Sequence, residues 1–406
     1  MKYLVLLLDG AADYPIDELG GKTPLAVASK PTIDKLAKSS VAGLVSNVPE
    51  GMVPESDTAN LAVMSYDPKL YSKGRSPLEA MSLGLEMSPE DTAYRCNVVT
   101  IGNPGQDEVA YEDKIMIDHG ADEITTPEAD ILIKAICKEL GDEAKHFYTG
   151  VSYRHCLIWK NAPAFKDFMR PHDILGQGIK DYLPEEPFLT LQKKSYDILK
   201  DHPVNLDRIK RGLRPANSAW FWSPGKKPAL PSFKEKWGLN ASVISAVDLI
   251  KGIAICAEMR SVDVEGATGN ISTNFAGKGE AAINEFKSGA DYVYIHVEAP
   301  DECGHRGELE NKILSVEKID ELILKPVYEY LSESGEDFKI LVLPDHPTPI
   351  CKRTHTMDPV PFILYHHGKA KDGIDTYCED TAKQTGLYLP RGEELMELFI
   401  NDKLVK

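Results

Sequence analysis

Asp345 and His346 stand side by side where the apolar run Ile340–Leu343 gives way to Pro344, and His355 follows nine positions after His346. Such a run reads as a buried strand. A carboxylate and a neutral imidazole together suit Zn2+, Mn2+ or a similar divalent ion. A polar turn whose histidines bond to nearby backbone is the plainer alternative, and the triplet alone leaves both open. A second group of the same kind precedes it. The run Tyr292–Val297 is broken by Glu298-Ala299-Pro300, and Asp301 and His305 follow four apart, so a single helical turn places both on one face. Asp9 ends the first apolar run, Tyr3–Leu8, and Ser56 opens the segment Ser56-Asp57-Thr58-Ala59-Asn60-Leu61. A serine there is an ordinary helix N-cap. The same geometry gives its hydroxyl free backbone N–H groups and a positive dipole, a good place for phosphate. Next to a metal it can ionise and attack phosphorus.

Taken together, Asp9, Ser56, Asp301, His305, Asp345 and His346 all lie just after predicted strands, with His355 in a loop beyond. No packing rule requires this. In open α/β sheets, ligands bind at the carboxyl ends of strands. Seven oxygen and imidazole groups suffice for two divalent ions with positions left open for substrate. Two ions a few Å apart can clamp a phosphoryl group. A metal store has no need of a serine at a helix start, although a noncatalytic metal-dependent binding protein is the competing class.

The elements that must position these residues alternate along the chain. Strands are expected at Tyr3–Leu8, Gly43–Val48, Ser218–Trp222, Ser242–Ala246, Tyr292–Val297 and Ile340–Leu343. Helices are expected around Leu25–Ser39, from Ser56, from Gly74, over Asp248–Met259 and from Lys278. That is an α/β pattern with a mostly parallel sheet between helices. The texture changes in the middle. Short strand-like runs, Tyr94–Ile101 and Cys156–Trp159, surround a helix over Pro127–Leu140, and Pro and charge rise through Pro163–Pro187. We read residues 1–88 and 214–406 as one core interrupted by an inserted α+β domain, 89–213. Within the insert Arg95, Arg154-His155 and Arg170-Pro171-His172 stand out, with Arg154-His155 the best placed, just before an apolar strand. Gly20-Gly21-Lys22-Thr23 imitates the end of a phosphate-binding P-loop, but Ile16 stands where that pattern needs glycine.

Composition narrows the partners. The 406 residues are 42% hydrophobic and 27% charged, an ordinary globular balance. A net charge of −17 argues against nucleic acid or an acidic membrane surface as a partner. Seven scattered cysteines without a C-x-x-C pair fit reduced thiols and a cytoplasmic setting. The apolar start ends at Asp9 with no signal-peptide cleavage site, so it reads as a strand. No stretch has the length of a membrane span. Oligomeric state is not legible.

Leu8-Asp9-Gly10, Ser56 to Leu61, Tyr66-Asp67-Pro68, Val297 to His305, and Asp345-His346 with His355 carry a resemblance over essentially the whole chain. The sequence resembles the alkaline phosphatase superfamily and, within it, the cofactor-independent phosphoglycerate mutases of archaeal type. The resemblance implies an alkaline-phosphatase-like core with an inserted cap, and interconversion of 2- and 3-phosphoglycerate through a phosphoserine at Ser56. It implies two divalent ions (Mn2+, Zn2+ or Mg2+) and no requirement for 2,3-bisphosphoglycerate. One ion would be held by Asp9, Ser56, Asp345 and His346, the other by Asp301, His305 and His355. Arg154, His155, Arg214 and Asn217 match segments implied to line the cleft for a small anionic phosphomonoester. Glu55 and Ser65 depart from the family pattern, which has glycine at both places. The chain stands near a bacterial branch proposed to act as a homoserine kinase, so a phosphatase or a phosphotransferase to an amino-acid alcohol is the alternative activity.

Overall fold

The computed structural model describes residues 1–164 and 168–403. Its strands are β1 (Lys2–Leu8), β2 (Val41–Val45), β3 (Asp91–Gly102), β4 (Ile115–Asp118), β5 (Lys145–Val151), β6 (Arg154–Lys160), β7 (Ser218–Lys226), β8 (Ala241–Ile244), β9 (Arg260–Val262), β10 (Tyr292–Val297), β11 (Phe338–Leu343), β12 (Val360–His366) and β13 (Tyr388–Leu389). The chain divides into two compact units, one of Met1–Ser72 with Ala229–Lys406 and the other of Lys73–Pro228.

The first unit is built on an eight-stranded sheet in the order β13-β2-β12-β11-β1-β10-β8-β9. Five of its pairings are parallel; only β11 with β12 and β12 with β2 run antiparallel. β1 is central, and every one of its seven residues is buried. A parallel strand covered on both faces needs such an unbroken apolar sequence. One face, carrying Leu4, Leu6 and Leu8, packs with Val293, Ile295, Ile340 and Val342 against Phe275, Phe286, Val316 and Ile323 from helical segments. On the other face Tyr3 meets Phe399 edge to ring, and Tyr292 packs against a tilted Phe233 ring. The register brings three strand ends together. Leu8 lies opposite Val297 of β10 and Leu7 opposite Leu343 of β11, so these strands release their chains side by side.

The second unit holds a five-stranded antiparallel sheet in which β3 pairs with β4, β6 and β7, and β5 pairs with β6. Helices Thr126–Leu140 and Phe188–Leu199 cover one core, with Ile133, Ile136, Phe188 and Leu191 against Tyr94, Leu157 and Phe221.

Three sequence expectations shift. The units part at 72/73 and 228/229 rather than at 88/89 and 213/214. Helix Ser76–Ser82 belongs with the insert, tied by Glu79 to Arg95 of β3, and β7 cannot leave it because residues 218–226 form a long ladder with β3. The helix expected over Leu25–Ser39 is two, Pro24–Val27 and Pro31–Ala37, since the residue before Pro31 is kept out of helical geometry. Ser56 is the first residue inside helix Ser56–Val63; the N-cap position falls to Glu55.

Candidate active site

Asp9, Ser56, Asp301, His305, Asp345, His346 and His355 all lie in the first unit. Asp9 is the residue after β1, Asp301 and His305 lie on helix Ala299–Arg306 just past β10, and Asp345-His346 begin two residues after β11. Pro344 cannot donate to a ladder, so β11 stops there. Asn47 Nδ2 then donates to the carbonyls of Pro344 (3.3 Å) and Asp345 (2.9 Å). Gly10 makes the approach possible. Its φ of 62° is left-handed, and a Cβ there would lie 2.5 Å from Asp301 Oδ1.

Two groups of ligand atoms result, Asp9 with Asp345 and His346, and Asp301 with His346 and His355. In the first, His346 Nε2 is 3.6 Å from Asp9 Oδ1, 3.4 Å from Asp345 Oδ2 and 3.2 Å from Ser56 Oγ. Asp9, Asp345 and His346 are no more than 1% exposed. Burial, then the charges of Asp345 and Asp301, push the Asp9 carboxyl well above its ordinary range. Among the described residues its Oδ1 has no hydrogen-bond partner. A buried carboxylate crowded by others and lacking a partner is what a cation would relieve.

His305 falls outside both groups, beside the second: its Nδ1 faces the Arg353 carbonyl at 3.1 Å, and His355 Nδ1 faces that of Pro54 at 2.6 Å. A carbonyl only accepts, so both Nδ1 atoms carry a hydrogen, and in the neutral rings both Nε2 atoms present lone pairs. Those Nε2 atoms are 2.9 Å apart, with Asp301 Oδ2 3.2 Å from the first and Oδ1 3.4 Å from the second. Facing lone pairs at that distance repel unless a proton or a metal lies between them. Hydrogen bonding to Asp301, against the opposing effect of burial, pushes His305 up to about 9. Burial works to raise Asp301, but its bonds from His305 and His355 outweigh this and hold it well below the usual carboxylate range. His346 links the two groups, its ring stacked 4.0 Å from that of His355. Two carboxylate–imidazole sets sharing a histidine, with a serine hydroxyl at the edge, fit a pair of divalent ions.

Sequence reasoning missed the residues that aim these ligands. Asn60 Nδ2 donates to Asp345 Oδ2 (2.9 Å) and the Ser56 carbonyl (2.8 Å), while Tyr294 O–H donates to its Oδ1 (2.6 Å). Thr348 Oγ1 donates to Asp301 Oδ1. Lys312, wholly buried, donates to Asp13 Oδ2 (2.8 Å) and to the carbonyls of Thr348 (2.8 Å) and Ala12 (3.3 Å), joining the loops after β1 and β11. His296 in β10 lies 2.9 Å from Asp9 Oδ2. A signal existed for three of them. Asn60 follows Ser56 by one helical turn, and Tyr294 and His296 share one face of an otherwise apolar strand with Tyr292.

Arg154, His155, Arg214 and Asn217 lie in the second unit. Arg154 is exposed over the Tyr153 ring. His155 accepts from the Gly150 amide at 3.1 Å, and burial pushes it down to about 4, so it is neutral. Arg214 Nη1 pairs with Asp118 (2.6 Å) and Asp122 (3.2 Å). Asn217 accepts from the Ile101 amide (2.9 Å) and donates to its carbonyl (2.8 Å), so its side chain is committed to β3.

Comparison with known proteins gives the same direction. A family model described as 2,3-bisphosphoglycerate-independent phosphoglycerate mutase matches residues 37–205. The chain is 45% identical over 409 residues to a protein of that name from Methanosarcina barkeri, covering 99% of this chain and 100% of the relative. It is 44% identical over 406 residues to a probable one from Geobacter sulfurreducens, covering 99% and 100%. Among solved structures, a Pyrococcus horikoshii protein superposes with a TM-score of 0.81 at 28% identity over 100% of this chain and 98% of its own. The cofactor-independent phosphoglycerate mutase of Thermoplasma acidophilum does so with 0.69 at 27% identity over 99% of each. With full-length identity at this level on top of the strand-end cluster, the chain belongs to the 2,3-bisphosphoglycerate-independent phosphoglycerate mutase family.

Proposed function

We propose that the protein interconverts 2- and 3-phosphoglycerate through a phosphoserine at Ser56, without 2,3-bisphosphoglycerate. The observation that carries this is Ser56 Oγ, half-buried in the first turn of its helix and 3.2 Å from His346 Nε2. Asp9, Asp345, His346 and Ser56 would hold one divalent ion, and Asp301, His305 and His355 the other, as Mn2+, Zn2+ or Mg2+. Ions bound there would lower the pKa of the serine hydroxyl and offset the charge of the phosphoryl oxygens.

Ser56 Oγ attacks phosphorus; the Oγ–P bond forms as the P–O bond to glycerate breaks, and the proton given up by the serine hydroxyl passes to the glycerate oxygen. Glycerate then turns, its other hydroxyl attacks the phosphoserine, and Ser56 regains its proton as product forms. The free N–H groups at the start of helix Ser56–Val63 would favour the phosphoryl group carried by Ser56. Water must be kept out, or the phosphoserine hydrolyses. A second reading, transfer to an amino-acid alcohol, has one observation in its favour. Glu55 precedes the nucleophile, and a carboxylate there repels a second anion and attracts an ammonium group.

Incubation with 3-phosphoglycerate and Mn2+ tests the proposal. Formation of 2-phosphoglycerate and an acid-stable phosphoserine, both lost in Ser56→Ala while Mn2+ still binds, is the expected result. Transfer by the Ala variant, or release of inorganic phosphate without mutase product, would refute it.

A further inference from the structure

His296 is fully buried on β10, opposite Leu7 of β1, and belongs to neither group of ligand atoms described above. Its Nε2 lies 2.9 Å from Asp9 Oδ2, and its Nδ1 lies 3.2 Å from Ser245 Oγ, one residue past β8. The Val247 amide donates to that same Oγ at 3.0 Å. Lys278 Nζ, also buried, donates to the His296 carbonyl at 2.7 Å and pins the backbone.

With Asp9 ionised, as a metal ligand is, only one arrangement of hydrogens makes every one of these contacts attractive with a neutral ring. The Ser245 hydroxyl donates to Nδ1, so Nε2 carries the ring hydrogen and presents it to Asp9. The reverse tautomer would set a bare Nε2 against an ionised carboxylate oxygen in a buried site. Asp9 Oδ1, facing His346 Nε2 at 3.6 Å, is left with no donor. His296 Nε2 and Asp9 Oδ2 are close, yet among the described residues Nε2 completes no hydrogen bond, so the carboxylate has still to turn onto it. Turning Oδ2 onto the Nε2 hydrogen leaves Oδ1 alone to serve the metal.

We infer that His296 is a positioning residue for Asp9: held as the Nε2–H tautomer by Ser245, it takes one carboxylate oxygen and makes Asp9 a one-oxygen ligand. This rests on the reading of the cluster as a metal centre. Partners of this kind behind a ligand change metal affinity by about 10–100-fold when removed.

Calorimetric titration of the full metal-free chain with Mn2+ separates the possibilities. In His296→Gln the amide nitrogen reaches the place of Nε2; in His296→Asn it reaches only that of Nδ1. Both leave a polar amide in the same buried site, so a merely structural role predicts similar losses from the two. We expect His296→Asn to weaken Mn2+ binding by about 10–100-fold and His296→Gln to stay near the unchanged chain. Ser245→Ala, which frees the tautomer, should weaken binding by a smaller factor. Equal affinities for the Gln and Asn variants overturn the inference. If the Asn variant does not fold, an unchanged affinity in Ser245→Ala overturns it. An unchanged chain that binds no Mn2+ sinks the metal-centre reading instead.

Discussion

Replacing Asn60 by Leu should cost the site most of its grip on one metal while leaving every ligand in place. The two acceptors facing Asn60 Nδ2 are the Asp345 carboxylate and the Ser56 carbonyl, so the amide orientation is fixed, and Tyr294 O–H must donate to Oδ1. Tyr294 stays protonated, because burial, then Tyr292 and Asp345, push its hydroxyl well above the ordinary value. On the other side, Asp345 Oδ1 accepts from the amides of Gly10 (3.1 Å) and His346 (2.9 Å). Asn60 is therefore the donor that settles the second oxygen. A hydrogen bond to a charged group contributes about 1.5–3 kcal/mol. If that orientation is lost, Mn2+ affinity falls by about 10–100-fold at roughly 1.4 kcal/mol per factor of ten. Tyr294→Phe leaves the Asn60 bonds intact but frees the amide to turn, at about 1 kcal/mol, or about fivefold. Tyr294 reaches Asp345 only through Asn60, so its substitution should do nothing further in a chain that already carries Asn60→Leu. Titrating Mn2+ into the four proteins of this cycle measures the coupling directly. Unchanged affinity in Asn60→Leu, or fully additive losses, would refute the relay.

The same geometry sets three further outcomes. In the metal-free chain His305 is pushed up to about 9, above its unfolded value of about 6.5, so its contribution to stability is complete below about 6.5 and lost as pH rises through about 9. Thermal unfolding in chelator should show a melting temperature that falls across this window, and His305→Asn should flatten the fall; Mn2+ affinity should rise over the same range as the competing proton leaves. Gly10→Ala adds left-handed strain of about 1–2 kcal/mol to contacts of 2.5–2.7 Å with Asp301 and Thr348, so a loss of at least about 3 kcal/mol is expected, whereas Gly20→Ala, with the same handedness and open space, should lose only the strain; equal denaturant midpoints for the two would contradict this. Asn217→Ala strips the Ile101 amide and carbonyl of their partners and should destabilise the insert by about 2–4 kcal/mol without raising KM for phosphoglycerate, while a raised KM with unchanged unfolding would return Asn217 to the substrate.

The central strands were legible because their physics is local. Tyr292–Val297 is the same strand in sequence and structure, since a two-sided burial demands an unbroken apolar run whatever its neighbours. Asp301 and His305 came together because a helical turn fixes their spacing. The joints of the insert were less legible. β7 begins at Ser218, where a strand was expected, but a strand's sequence does not say whose sheet it joins, and its partner β3 lies more than a hundred residues earlier. Lys312 was out of reach for the same reason. A lysine on a helix normally reads as solvated, and only the fold reveals three oxygens closing around its ammonium.

The two halves of the cluster differ in what each can do without a cation. Asp301 can share protons with His305 and His355, whose Nε2 atoms point at it and at each other, and His355 is raised by Asp301 despite its burial. That half can neutralise itself. Asp9 has no such recourse, since burial also keeps the His296 ring beside it from taking a proton. His346 is held neutral because burial pushes it down, and the Asp9 carboxyl answers by rising well above its normal range. The uncompensated negative charge therefore sits where solvent reaches least, beside the Ser56 hydroxyl. An ion drawn to Asp9 and Asp345 relieves the larger electrostatic penalty and at the same stroke lies next to Ser56 Oγ. On this account the burial that makes these carboxylates costly is also what would bind a cation firmly and direct its field onto the Ser56 hydroxyl.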